Sequence, residues 1–151
     1  MGRIEKSIEI KAPPGKVWEM LAFDRMPEWV DDLKSTEYTS EVHTPQDKYR
    51  VGASAHITCK RGPPKEQDDE ITESLENEKI TYHLKKSGTN QLMAIRTYIL
   101  EPVEEGTKFT YMYEYEMPWG IFGKFIESLL KGIVERHFEK SLENLKSILE
   151  K

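Results

Sequence analysis

The segment FGKFIESLLKGIVERHFEKSLENLKSILEK, residues 122–151, constrains the fold more than any other stretch of the chain. Phe122, Phe125, Ile126, Leu129, Leu130, Ile133, Val134, His137, Phe138, Leu142, Leu145, Ile148 and Leu149 recur at three- and four-residue steps, with Lys, Glu, Arg and Ser between them. This spacing predicts one long amphipathic helix, with Gly132 as a candidate break. Its apolar stripe has to be covered by a broad surface contributed by the rest of the chain.

That surface is a sheet. From about residue 34 to 118 helical periodicity disappears, and strand-like runs follow one another: STEYTSEVH, VGASAHITCK, EQDDEITESLE, KITYHLKKS, LMAIRTYILEP and GTKFTYMYEYEM. The breaks TPQDK, RGPPK, ENEK, SGTNQ and EPVEEG carry turn chemistry, and connections so short imply antiparallel neighbours. Upstream, RIEKSIEIKAP alternates as a half-buried strand ended by Pro13 and Pro14, and PGKVWEMLAF predicts a short helix. RMPEWVDDL reads as a second short helix, capped by Asp24 and buried through Trp29, Val30 and Leu33. The expected fold is α+β: one domain over 1–151, with a curved antiparallel sheet of about seven strands wrapped around the long C-terminal helix.

The last strand has an unusual face. Phe109, Tyr111, Tyr113 and Tyr115 alternate onto one side, with Thr110, Glu114 and Glu116 on the other, directly before the Gly/Pro-rich PWGIFG segment. Four aromatics on one face either fill a core or line something hollow. On the strand before, Arg96 shares a side with Tyr98 and Leu100, so their inward placement would put a guanidinium in the interior, ready for a carboxylate or phosphate. If Ile95, Thr97 and Ile99 point inward instead, Arg96 is a solvated residue. Its nearest acids by sequence, Glu114 and Glu116, belong to the outer face of the neighbouring strand.

Other chemistry is sparse. The histidines His43, His56, His83 and His137 form no HxH or HExxH pattern, and His56 and Cys59 fall on opposite faces of a strand, so no metal or cofactor is expected. His137 lies on the buried stripe of the last helix, where a structural role outweighs an acid–base one. The acids of KEQDDEITESLENEK read as a solvated strand face. Ser54, Ser74 and Ser128 lack a nucleophile setting.

The formal net charge is -5, and no basic cluster exceeds CKRGPPK, which argues against nucleic acid as a partner. The single Cys59 excludes an internal disulfide and favours a reducing compartment. No apolar run approaches the ~20 residues of a membrane span, and the N-terminus has no signal-peptide character, so the expectation is a cytoplasmic protein without stable membrane insertion, monomeric or weakly homodimeric.

Three pieces in this order carry a resemblance across nearly the whole chain: PPGKVWEMLAFDRMPEWV near the start, YILEPVEEGTKFTYMYEYEMP late, and ERHFEKSLENLKSILEK at the end. The sequence resembles the START-like or birch-pollen-allergen-like helix-grip superfamily, and within it the polyketide cyclase/dehydrase and lipid-transport group. The superfamily spans carriers, cyclases, receptors and chaperones, so the resemblance implies a fold and a cavity, not a reaction. It implies a deep space between the sheet and the last helix, closed at one end by the small helices and rimmed by PWGIFG, whose glycines allow gating. The candidate ligand-binding set is Trp29, Tyr82, Arg96, Tyr98, Phe109, Tyr111, Tyr113, Tyr115, Phe122, Phe125, Ile126, Leu129 and Ile133, with no catalytic residue assigned. The expected function is binding or transport of a hydrophobic or amphipathic small molecule such as a lipid, isoprenoid or polyketide. The alternatives are a cyclase or dehydratase working in the same cavity, and a protein-interaction module with a filled interior.

Overall fold

The computed structural model describes residues 2–61, 65–115 and 123–151, with the side chains of 123–130 outside the description. Seven antiparallel strands form one curved sheet: β1 (Gly2–Ile10), β2 (Leu33–Tyr38), β3 (Ser54–Cys59), β4 (Glu66–Leu75), β5 (Lys79–Lys86), β6 (Leu92–Val103) and β7 (Gly106–Tyr115). Their order is β1-β7-β6-β5-β4-β3-β2. From β2 to β7 each strand pairs with its successor, as short turns require, while β1 joins the far side of β7. The register shifts between Leu33 and Ser35, Ile71 and Glu73, and Leu84 and Lys85. Such irregularities bend and twist a strand, which lets the sheet curve.

The short helix α1 (Pro14–Glu19) and the 27-residue helix α2 (Gly123–Leu149) complete the fold. The helix-grip architecture expected from the sequence is present. α2 runs unbroken through Gly132, so the candidate break does not occur. Phe138, Leu142 and Leu145 are buried against the concave face, and Val134, Ile148 and Leu149 pack beside them. Polar ties fix the helix at its margins. Asn144 donates to the Trp29 carbonyl (3.2 Å), Lys146 donates to the Glu9 carbonyl (2.8 Å), and the Lys6 ammonium meets Glu139 at 3.2 Å. Among the described residues no helix is long and apolar enough to cross a membrane.

Two local expectations are corrected. The RMPEWVDDL helix is a 3-10 turn over Phe23–Glu28, containing Pro27 and lacking a side-chain cap. A proline inside the segment removes a donor and shortens what can form. Asp24 does not cap it; its carboxylate accepts from the Tyr38 hydroxyl (2.8 Å) and Lys48 (3.0 Å). The TPQDK turn contains a further 3-10 turn, Pro45–Lys48, in which the Asp47 carboxylate accepts from the His43 and Thr44 amides.

Gly106 opens β7 where the β6–β7 hairpin crosses the end of β1. A Cβ there would stand 2.0 Å from the Ile10 carbonyl oxygen, a backbone atom that no rotamer change can move. Gly106→Ala is expected to lower stability by about 1–3 kcal/mol in urea unfolding, the usual range for overpacking.

Candidate functional site

The inner face of the sheet is ordered in rows by strand register. One row runs Tyr82–Arg96–Tyr113–Ile4 across β5, β6, β7 and β1, and the next runs Ile80–Tyr98–Tyr111–Lys6. Leu100, Phe109 and Ile8 form the third. The row on the opposite flank is Ala55–Asp69–Leu84–Ala94–Tyr115–Gly2, where small residues alternate with large ones. Arg96 and Asp69 therefore lie diagonally across two strands, with Ala55 and Ala94 beside them.

Arg96 points inward, with Tyr98 and Leu100, and is 4% exposed. Its partner is Asp69, 1% exposed, whose Oδ2 accepts from Arg96 Nη2 at 2.8 Å. Asp69 Oδ1 accepts from the Gln67 amide at 2.8 Å. The guanidinium carbon stands 4.5 Å from the centre of the Tyr82 ring and 5.6 Å from that of Tyr98, and Nη2 lies 3.8 Å from Met26 Sδ. A buried guanidinium is held by charge, by hydrogen bonding and by aromatic faces at once. Two polar atoms remain without a hydrogen-bond partner among the described residues: Arg96 Nε and the Tyr98 hydroxyl. The Tyr98 and Tyr111 rings meet edge to face at 4.9 Å, and their hydroxyls influence one another.

Burial pushes the Asp69 carboxyl above its ordinary value, although Arg96 and Gln67 pull it back. Burial also opposes the charge on Arg96, but Tyr98, Asp69, Tyr111 and Tyr82 outweigh it and hold the guanidinium well above its usual range. The phenols of Tyr82, Tyr98, Tyr111 and Tyr113 all move upward, chiefly by desolvation. Cys59, inward at the end of β3, is pushed up to about 11 by burial, then by Asp32 and Asp69. It is expected to react with iodoacetamide at pH 7.5 at least roughly tenfold more slowly than free cysteine, because the thiolate is the nucleophile.

The candidate residues divide into groups. Trp29, Tyr82, Tyr98 and Phe109 interlock at one end, with ring centres 5.2–6.0 Å apart. Trp29 Nε1 donates to the Met20 carbonyl (2.8 Å) and the Tyr82 hydroxyl to the Leu21 carbonyl (2.7 Å), so both polar tips are already engaged. Tyr111 stacks on Phe138 at 4.1 Å, and Tyr113 meets the edge of the same ring at 5.3 Å. Tyr113 and Tyr115 are half-buried, with ring centres 5.9 Å apart. Met117 and residues 118–122 of the PWGIFG rim, Phe122 among them, fall outside the described residues, as do the side chains of Phe125, Ile126 and Leu129. Ile133 is 44% exposed, in a hollow with Arg61, Arg136 and His137.

The reading of KEQDDEITESLENEK as a solvated face is corrected at Asp69. Gln67 and Asp69 share the period-two face of Ile71, which is 1% exposed, so a signal for an inward acid was present. Composition masked it. Among the described residues Glu114 does not pair with Arg96, whose carboxylate partner is Asp69; Glu116 lies outside the described residues. Phe138, Cys59 and Met26 are further interior neighbours that the sequence reading left out of the site.

Comparisons with known proteins agree with this architecture. The model of the polyketide cyclase/dehydrase and lipid-transport family matches residues 1–150, and the chain belongs to that family. Protein MLL2253 from Mesorhizobium loti is similar in structure, with a TM-score of 0.73 at 18% identity over 98% of this chain and 96% of its own. TTHA0849 from Thermus thermophilus gives 0.72 at 16% identity over 97% and 95%. The Aha1 dimer from Colwellia psychrerythraea gives 0.65 at 20% identity over 99% and 97%. At these identities the structures share the fold alone. No curated protein gives a significant match.

The ion pair has a testable asymmetry. Asp69→Ala leaves the guanidinium buried and uncompensated and is expected to cost about 3–5 kcal/mol, whereas the double variant Asp69→Leu, Arg96→Met is expected to recover most of that loss. Urea unfolding of the two variants measures both.

Proposed function

We propose that the protein carries or senses a hydrophobic or amphipathic small molecule, lipid, isoprenoid or polyketide-like, held between the sheet and α2 with its oxygen-bearing end against Arg96 and Tyr98. The observation that supports this reading is the pair of orphan polar atoms, Arg96 Nε and the Tyr98 hydroxyl, both buried and both unbonded among the described residues. An unmet buried donor or acceptor costs about 1–3 kcal/mol, and a ligand oxygen beside these groups recovers that cost on binding. Aromatic walls add affinity by removing apolar ligand surface from water, at about 25 cal/mol per Å² before the costs of association.

Charge decides which head group fits. Asp69 already neutralises Arg96 at 2.8 Å, so a carboxylate would bring a second, uncompensated negative charge into a desolvated interior. A carbonyl or hydroxyl takes the free Nε–H without that penalty. The same groups are poor proton shuttles at neutral pH, since burial keeps the phenols protonated and the guanidinium stays charged. This favours carriage over the cyclase or dehydratase alternative.

The test is a panel of a long-chain fatty acid, its primary alcohol, a prenylated quinone and an aromatic polyketide, followed by native mass spectrometry and melting temperature. Neutral members are expected to bind at least roughly tenfold more tightly than the acid. Tyr98→Phe is expected to weaken them roughly five- to tenfold while leaving the ligand-free protein as stable as before or more so, because the lost hydroxyl was unsatisfied. Preference for the acid overturns the head-group assignment. No binding by any member, with no shift in melting temperature, overturns the carrier reading itself.

A further inference from the structure

A second polar cluster lies apart from the buried pair. Ile133, Arg136, His137 and Lys140 follow one another at helical steps along α2 and, with Asp31 and Arg61, line a surface hollow of about 420 Å³. Its charge runs against the chain as a whole, which carries a net -5: three cations share the hollow with one carboxylate. That carboxylate is already used, since His137 Nδ1 donates to Asp31. Arg61, Arg136 and Lys140 form no ion pair among the described residues; Arg136 only donates Nε to the Gly132 carbonyl, at 3.3 Å.

The cluster is built, not merely gathered. The Asp31 amide donates to Ser141 Oγ (2.7 Å), which in turn donates to the His137 carbonyl (2.8 Å), so the segment and the helix are locked together. With Nδ1 committed to Asp31, the imidazole has Nε2 left for another partner. Asp32 adopts a left-handed conformation, φ 70°, from which its carbonyl receives the Lys60 amide (2.7 Å) and its carboxylate the Arg61 amide (3.0 Å). A non-glycine residue held in that region costs free energy, here spent on fixing the Arg61 backbone beside the hollow.

We propose that this hollow binds a phosphate monoester. Two guanidiniums and an ammonium offer more donors than a single carboxylate uses, and a dianion with three terminal oxygens matches them. The hollow is of a size that takes small organic ligands, and the exposed Ile133 supplies an apolar contact for the organic part. The same phosphate could come from a soluble metabolite or from a lipid head group.

The experiment uses the full chain at 150 mM NaCl, where surface charges further apart than about 8 Å are largely screened. Glycerol 3-phosphate and inorganic phosphate are titrated while the Arg Nε–H and His137 ring resonances are followed. Vesicles of phosphatidylcholine, with and without phosphatidic acid, are assayed by flotation. Saturable shifts of Arg136 and His137 are expected with glycerol 3-phosphate, and Arg61→Ser and Arg136→Gln should each weaken binding roughly tenfold, the scale of one charged hydrogen bond. Lys108→Gln, on β7, should change nothing. Binding to phosphatidic acid vesicles alone, lost in the same two variants, assigns the phosphate to a lipid. Absence of binding in every arm, or equal loss in Lys108→Gln and the hollow variants, overturns the proposal.

Discussion

A single helix with a long apolar stripe cannot be covered by a flat sheet, and the structure follows from that mismatch. Phe138, Leu142 and Leu145 need contact from several directions, so the sheet has to bend around them. The register irregularities at β2, β4 and β5 supply the bend without breaking the pairing. Joining β1 to β7 brings Ile4, Ile8 and Ile10 onto the same concave face and places Lys6 opposite Glu135 and Glu139 of the helix. Curvature, once forced, also sets the interior: where the wall is nearest the small helical segments, Trp29, Tyr82, Tyr98 and Phe109 interlock.

Moving from those rings toward Asp69, the lining becomes polar. An ion pair buried this deeply is a poor way to gain stability, because desolvating both charges offsets most of their attraction. An apolar pair of the same volume would serve a core equally well. The chain instead surrounds Arg96 with two aromatic faces, a thioether and a carboxylate that is itself held by Gln67. That arrangement fixes the guanidinium's position and leaves Nε without a hydrogen-bond partner among the described residues, the feature on which the proposed binding role rests.

Most of the fold was legible from periodicity, because strand alternation and the three- and four-residue steps of α2 report burial directly. The failures have separate physical causes. Pro27 shortened a segment whose apolar spacing suggested a full helix. Gly132 costs helix propensity but lies within a 27-residue element whose tertiary contacts outweigh it. Arg96 was ambiguous because β6 is apolar on both faces, and Thr97 proves as shielded as its inward neighbours, at 6% exposure. Asp69 was hidden by its company: the many acids in EQDDEITESLE suggest solvent, yet counting by twos from Ile71 reaches Asp69 and Gln67. Ile133 shows the opposite error, an apolar residue on the helix stripe that lies at the edge of a charged hollow because the stripe is wider than the surface covering it.

The interior and the hollow differ in how their charge is balanced, and this separates what each can hold. Inside, the positive charge is balanced at 2.8 Å by a carboxylate equally buried, so what remains is a set of hydrogen-bonding directions with no net charge. At the surface, three cations share one carboxylate that is bound to an imidazole, so a field remains while water lowers the cost of admitting a charged group. Under the two proposals, a neutral, oxygen-bearing molecule suits the first environment and an anion the second. The helix that closes the interior through Phe138 presents Arg136, His137 and Lys140 to the hollow. Under the two proposals both ligands lie against α2, which makes the helix an element shared by the two sites.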